Sequence, residues 1–203
     1  MIACLDLEGV LLPEIWIKFA EKTEIQELKI TTRDIPDYDV LMNKRLSILK
    51  ANNFKLKDIK NVISTLKPLE GAIDFHNWLK SEFQVIILSD TFYQFVDPLM
   101  KKLDYPTLFC HSLVIDSNDS IIGYKLRQPN AKQESVKALQ KLNFKVVAAG
   151  DSYNDIGMLK QADEGILFDP PENVINDYPQ FSISKNYEDF KKKLEVCKAM
   201  IEK

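Results

Sequence analysis

Short apolar runs, each closed by small and acidic residues, recur along this 203-residue chain. Residues 2–7, 85–88 and 146–149 form such runs, and the clusters that close them are Asp6-Leu7-Glu8-Gly9, Ser89-Asp90-Thr91 and Gly150-Asp151-Ser152. Continuous apolar runs of this length are what strands buried on both faces of a parallel sheet look like. Between the runs the period changes. Phe92, Phe95, Val96, Leu99, Met100 and Leu103 fall at steps of three and four and predict an amphipathic helix beginning just after the capping cluster at 89–91. Ser135, Val136, Ala138, Leu139 and Leu142 predict another helix, residues 165–168 a fourth strand, and residues 187–201 a closing helix. The alternation implies an α/β fold, a parallel sheet sandwiched by helices, whose ligands sit at the carboxyl ends of the strands. All three polar clusters fall at such ends.

Residues 13–68 break the alternation, with helical spacing at Leu41, Arg45, Ile48, Leu49 and at Leu56, Ile59, Val62, Ile63, Leu66 but no buried strand. They predict a small helical cap inserted after the first strand, over a catalytic core made of residues 1–12 and 69–203. Asn118-Asp119, between the apolar runs 113–115 and 121–124, predicts a small hairpin. No repeat or low-complexity segment interrupts the chain.

The composition, 45% hydrophobic and 28% charged with a net charge of −3, is that of an ordinary globular protein and argues against nucleic acid as partner. Cys4, Cys110 and Cys197 are far apart and never form a CxxC pair, so neither a disulfide framework nor a zinc site is suggested and a reducing cytoplasm fits best. The first apolar run is broken by Asp6 and Glu8 and has no basic flank, unlike a signal peptide, and no later run approaches a membrane span.

Strand alternation would put Asp6 and Glu8 on one side, forcing two negative charges together. A cation resolves the crowding. With Asp151 from another strand end, these acids offer hard oxygen ligands to Mg²⁺. Asp6 can then attack a phosphoryl group to give an aspartyl-phosphate, while Ser89 and the N–H groups of the following helix hold its oxygens and a lysine neutralises charge. Lys132 is the candidate, with Lys125 and Lys137 as rivals by local pattern. Glu8 suits general acid and base work. Asn154 and Asp155 either belong to this site or simply start a helix. His76 and His111 sit apart from the clusters and are expected to be structural or exposed, while Trp16, Phe19, Phe75 and Trp78 are expected in the core.

Asp6-Leu7-Glu8-Gly9-Val10, Leu88-Ser89-Asp90-Thr91, Lys132 and Gly150-Asp151-Ser152-Tyr153-Asn154-Asp155 resemble, in order, the four motifs of the haloacid dehalogenase superfamily. The resemblance selects Lys132 over its rivals. It implies a Rossmann-like core, Asp6 as nucleophile and Mg²⁺ as cofactor. The implied metal set is Asp6, Glu8 through its backbone oxygen, Asp151, and Asp155 directly or through water. Ser89, Asp90, Lys132 and Asn154 would hold phosphoryl group and substrate. Within the superfamily the chain is similar to the phosphoserine phosphatase group, where Glu14 would meet the substrate's amino group and Arg45 its carboxylate, as a guanidinium suits. Without that group, the two would read as a surface ion pair on the cap. The stretches at 2–10, 31–42 and 148–155 further resemble a bacterial subgroup that hydrolyses phosphoserine or passes its phosphoryl group to homoserine. This implies phosphoserine and homoserine as small-molecule partners, leaves a homodimer open, and includes neither nucleic acid nor membrane. A phosphatase of another small phosphometabolite is the alternative. Most of the superfamily's phosphatases carry aspartate where this chain has Glu8.

Overall fold

The computed structural model describes residues 1–32, 34–35 and 37–201; Arg33 and Pro36, inside the 31–42 stretch of the resemblance, lie outside the described residues. A seven-stranded sheet runs in the order β4-β3-β2-β1-β5-β6-β7. Its strands are β1 (Ile2–Leu5), β2 (Gln84–Phe92), β3 (Thr107–Ile115), β4 (Ile121–Lys125), β5 (Val146–Gly150), β6 (Glu164–Phe168) and β7 (Ser182–Ser184). All neighbours pair in parallel except β3 and β4, which form the expected hairpin.

The central strand shows why the runs are continuously apolar. Ala3 and Leu5 face one hydrophobic core and Ile2 and Cys4 the other, all of them buried, and β5 repeats the division with Val147 and Ala149 against Val146 and Ala148. The smaller core is closed by α6 (Ala131–Lys141), α7 (Ile156–Gln161) and α8 (Glu172–Asp177) through Val136, Met158, Leu159 and Val174. The larger one receives α4 (Ala72–Glu82) and α9 (Tyr187–Ile201), where the Phe75 ring stacks on Tyr187 and Phe190 with centroids 4.8 Å apart in both pairs. It also receives α5 (Tyr93–Lys102) and the helices of the 13–68 segment, α1 (Ile15–Thr23), α2 (Tyr38–Ala51) and α3 (Leu56–Thr65). Phe19, Met42 and Ile63 from that segment share one continuous core with Leu5 and Phe95.

Two boundaries differ from expectation in ways that shape the site. β1 ends at Leu5, so Asp6 and Glu8 do not follow strand alternation. The Asp6 N–H still donates to the Ala149 carbonyl (2.9 Å), after which Gly9, at φ +79°, turns the chain back. β2 runs on through Ser89-Asp90-Thr91, because Phe92 is buried and pairs with His111 of β3 across a register shift between Leu88 and Phe92. The helix therefore begins at Tyr93, with Phe92 at its N-cap and no side-chain cap, and Ser89 is not the helix cap the sequence suggested. A bulge at this point lets a polar tripeptide remain in a strand and redirects its side chains.

On α4, His76 is 1% exposed and its Nε2 has no hydrogen-bond partner among the described residues. Burial lowers its pKa from 6.5 to about 4. The unfolded chain therefore takes up the proton first. Stability from the neutral ring is intact above pH 6.5, declines as pH falls, and is gone below about pH 4. Denaturant unfolding at pH 7 and pH 4.5 should show a loss smaller in His76→Met than in wild type, by an amount on the order of 2 kcal/mol.

Candidate active site

At the carboxyl ends of β1, β2 and β5 the site is built around one ammonium group. Lys132, in the first turn of α6, is 5% exposed, and its Nζ lies 2.9 Å from Asp6 Oδ1, 2.8 Å from Asp155 Oδ1 and 3.5 Å from Asp90 Oδ2. Burial alone would depress the ammonium, but Asp155, Asp6 and Asp90 outweigh it and hold its pKa well above the lysine range. The rivals Lys125 and Lys137 are both exposed.

Asp6, Asp151 and Asp155 are buried, with carboxylate oxygens within 4.8 Å of one another. Asp155 Oδ2 accepts the Asp151 and Ser152 N–H groups at 3.0 and 3.1 Å, which fixes its carboxylate across the turn after β5. Two glycines leave room for this crowding. A Cβ on Gly9 would stand 2.5 Å from the Asp151 carboxylate, and one on Gly150 would stand 2.2 Å from that of Asp155. Burial, then Asp155, push the Asp6 carboxyl well above the carboxylate range despite Lys132. Three buried carboxylates face one ammonium, and their donors are hard oxygens in mutual reach. That set fits a divalent cation such as Mg²⁺.

A small cavity of about 70 Å³ opens onto Asp6 and Lys132, and Glu8, Glu14, Trp16, Arg45, Ser89 and Asn154 also line it. The structure thus brings together the candidate site residues, Asp90 among the lining and Asp151 and Asp155 next to Asp6. The Ser89 Oγ accepts the Thr91 N–H at 3.2 Å within the bulge. Glu8 accepts the Ile15 N–H at 2.7 Å, so the start of α1 orients it. Burial, then Glu14, raise its pKa to about 8. Arg45 is buried rather than paired on the surface of the segment. Its Nη2 donates to the Ile30 carbonyl at 3.0 Å, its guanidinium sits 4.6 Å over the Trp16 ring, and its Nε has no partner among the described residues. Burial brings its pKa down to about 10.

His111 corrects an expectation. It does not stand apart: it is buried, with Nε2 3.2 Å from Asp90 Oδ1, while its Nδ1 accepts the Arg127 N–H at 3.2 Å. Asn154 donates to Asp90 Oδ2 at 2.9 Å. Burial would raise the Asp90 carboxyl, but Lys132, His111 and Asn154 together hold it well below the carboxylate range. The hydroxyl of Tyr38, at the start of α2, donates to the Asp90 carbonyl at 3.0 Å. From the sequence neither Tyr38 nor His111 had a role in the site, although Tyr38 lies in the 31–42 stretch of the resemblance, because each reaches the site from a remote element through tertiary pairing. Trp16 is core, as expected, and cavity wall as well.

Residues 2–163 match the family model described as haloacid dehalogenase-like hydrolase. Among curated relatives, the phosphoserine phosphatase ThrH of Pseudomonas aeruginosa is 62% identical over 94% of this chain and 93% of its own. A phosphoserine phosphatase of Pseudomonas syringae pv. tomato is 59% identical over 94% of this chain and 81% of its own. The crystal structure of a phosphoserine phosphatase in apo form superposes with a TM-score of 0.74 at 23% identity, covering 91% of this chain and 93% of that one, a likeness in fold.

Removing the ammonium would leave the acids uncompensated. Lys132→Met is expected to cost about 3–5 kcal/mol in denaturant unfolding measured without divalent ions, and the loss should shrink when Asp155→Asn is added.

Proposed function

This chain belongs to the haloacid dehalogenase-like hydrolases, and on that premise we propose that it is a Mg²⁺-dependent phosphoserine phosphatase that can also pass the phosphoryl group to homoserine. The observation that carries this reading is one small cavity with Asp6, Ser89 and Lys132 beside Glu14 and Arg45. A phosphoryl group and a zwitterionic amino acid find complementary partners in it. The curated relatives' phosphoserine phosphatase activity supports the same assignment.

Residues 13–68 serve as the cap. The Arg45 guanidinium takes the substrate carboxylate and Glu14 its ammonium group, while Ser89, Lys132 and Asn154 hold the phosphoryl oxygens, with Asp90 held against Lys132 and Asn154 beside them. An Asp6 carboxylate oxygen forms a bond to phosphorus as the bond from phosphorus to the seryl oxygen breaks, and Glu8 gives its proton to that oxygen. In the second half Glu8 takes a proton from water or from the homoserine hydroxyl. The oxygen so freed attacks phosphorus, and the Asp6 carboxylate leaves. Asp6, Asp151, the Glu8 backbone oxygen and Asp155, directly or through water, would hold Mg²⁺, which would supply the charge neutralisation that lets an anionic oxygen approach an anionic phosphoryl group. Free, buried cysteines and small polar substrates suit a cytoplasmic enzyme.

Purified protein with Mg²⁺ and phosphoserine, followed by phosphorus NMR with and without homoserine, should release phosphate and form phosphohomoserine. No turnover of phosphoserine contradicts the reading, and hydrolysis without phosphohomoserine reduces it to a plain phosphatase. Asp6→Asn should lose at least about 10³-fold in turnover. Arg45→Ala should raise KM about tenfold to hundredfold with a smaller change in kcat, the effect of losing hydrogen bonds from a charged group. Thermal unfolding gives a readout independent of activity. Mg²⁺ at about 100 times its Kd should stabilise the wild type by about 2.7 kcal/mol and Asp151→Asn by far less.

A further inference from the structure

A second cavity, of about 520 Å³, lies behind the first. The two share Thr32, Tyr38, Asp90, Lys132 and Asn154 in their linings, so those side chains are the wall between them. On the far side stand His111, Gln128, Gln133 and Tyr153 together with Leu126, Pro129 and Met158, a lining more apolar than polar with volume for many waters at roughly 30 Å³ each. The substrate side has about 70 Å³. Where the wall yields, water standing in the second cavity gains a further route to the phosphoryl site.

Asp90 is the part of the wall with the most ties. Its carboxylate is held by His111 (3.2 Å), Asn154 (2.9 Å) and Lys132 (3.5 Å), and its carbonyl by the Tyr38 hydroxyl (3.0 Å). The His111 tie has a defined direction. Because Nδ1 accepts the Arg127 N–H, the ring hydrogen is on Nε2 and is donated to Asp90. The Tyr38 ring, 6.1 Å from that of His111 and edge-on to it, and the Phe92 ring at 6.2 Å keep the imidazole in place.

We infer that His111 is a positioning residue for acceptor choice: by holding Asp90 across the opening between the two cavities, it limits entry of water to the aspartyl-phosphate and favours an alcohol acceptor arriving from the cap side. The inference rests on the aspartyl-phosphate route proposed above. The chemistry at phosphorus is unchanged by it. Water and alcohol each bring an oxygen to the same phosphorus, lose one proton to Glu8 and release the Asp6 carboxylate, so only supply of the acceptor differs.

The ratio of transfer to hydrolysis tests this, since both products come from one intermediate and the ratio does not depend on how much enzyme is active. With phosphoserine as donor, isotope-labelled serine and homoserine serve as acceptors. Serine is the leaving group, so microscopic reversibility makes it an acceptor for any phosphoserine phosphatase of this type. In His111→Phe, which keeps a ring but donates no hydrogen bond, the ratio should fall severalfold, up to about tenfold, the equivalent of one hydrogen bond to a charged group. His111→Gln, which restores an N–H at the Nε2 position, should return it close to wild type. A ratio unchanged in His111→Phe, or lowered equally in both variants, overturns the inference. Should His111→Phe fail to fold, Gln128→Trp, which fills the second cavity from outside the wall, should raise the ratio, and no change there overturns the inference as well. Absence of phosphoserine turnover in wild type counts against the function and not the wall. The same ratio is then read with p-nitrophenyl phosphate as donor and glycerol as acceptor.

Discussion

One buried ammonium organises this molecule. Lys132 brings a positive charge to a point where Asp6, Asp90 and Asp155 converge from three different strand ends, and each of those ends depends on it. Without that charge, like carboxylates would be buried within reach of one another, a cost that packing of the two flanking cores cannot easily offset. The fold answers in its local geometry. Gly9 and Gly150 give up side chains where carboxylates pass, the turn after β5 ties Asp155 with two backbone donors, and beside the register shift in β2 Asp90 stands 3.5 Å from the ammonium. One ammonium against three triad carboxylates still leaves negative charge unmet, and that deficit makes the site fit for a divalent cation.

Much of this was legible in the sequence, and for physical reasons. Strands buried on both faces must be apolar throughout, so β1, β5 and β6 stood out. The carboxyl ends of parallel strands gather on one edge of a sheet, so three separate polar clusters implied one site. What stayed hidden depended on partners distant in sequence. The short β7 and α8, and the part of β3 that pairs with β2, carry little periodic signal of their own. Ser89-Asp90-Thr91 looks like a helix cap, and only the pairing of Phe92 with His111 keeps it in a strand. His111 and Tyr38 are ordinary residues on a strand and a helix start until the pairing of β3 with β2 and the packing of α2 bring both to Asp90. Glu14 and Arg45 carried two readings, a surface ion pair or a pair of substrate contacts, and the burial of Arg45 over Trp16 removes the first without testing the second.

The site divides its work by depth. At the floor are the acids and the ammonium, rigidly bonded to backbone and to one another. Above them Glu8 takes its orientation from the N–H of Ile15, so the proposed acid/base group is oriented by the first residue of α1. Arg45 and Glu14 belong, like α1, to the 13–68 segment. The groups that would recognise an amino acid and the group that would manage its proton are therefore mechanically linked, and the phosphoryl-binding groups are fixed separately to the sheet. The methylene by which Glu8 exceeds an aspartate lengthens the link between those two layers. In the proposed mechanism it would shift the proton-transfer oxygen relative to Asp6 and so bear on which acceptor is activated.

The central claim is that Asp6, held by Lys132, becomes the phosphoryl acceptor. Rapid acid quench of the enzyme turning over phosphoserine, followed by hydride reduction and peptide mass analysis, tests it directly. An acyl-phosphate at position 6 is reduced to a homoserine residue, which the account predicts in the wild type and not in Asp6→Asn. Turnover without modification at position 6, or the same modification at another acid, would contradict it.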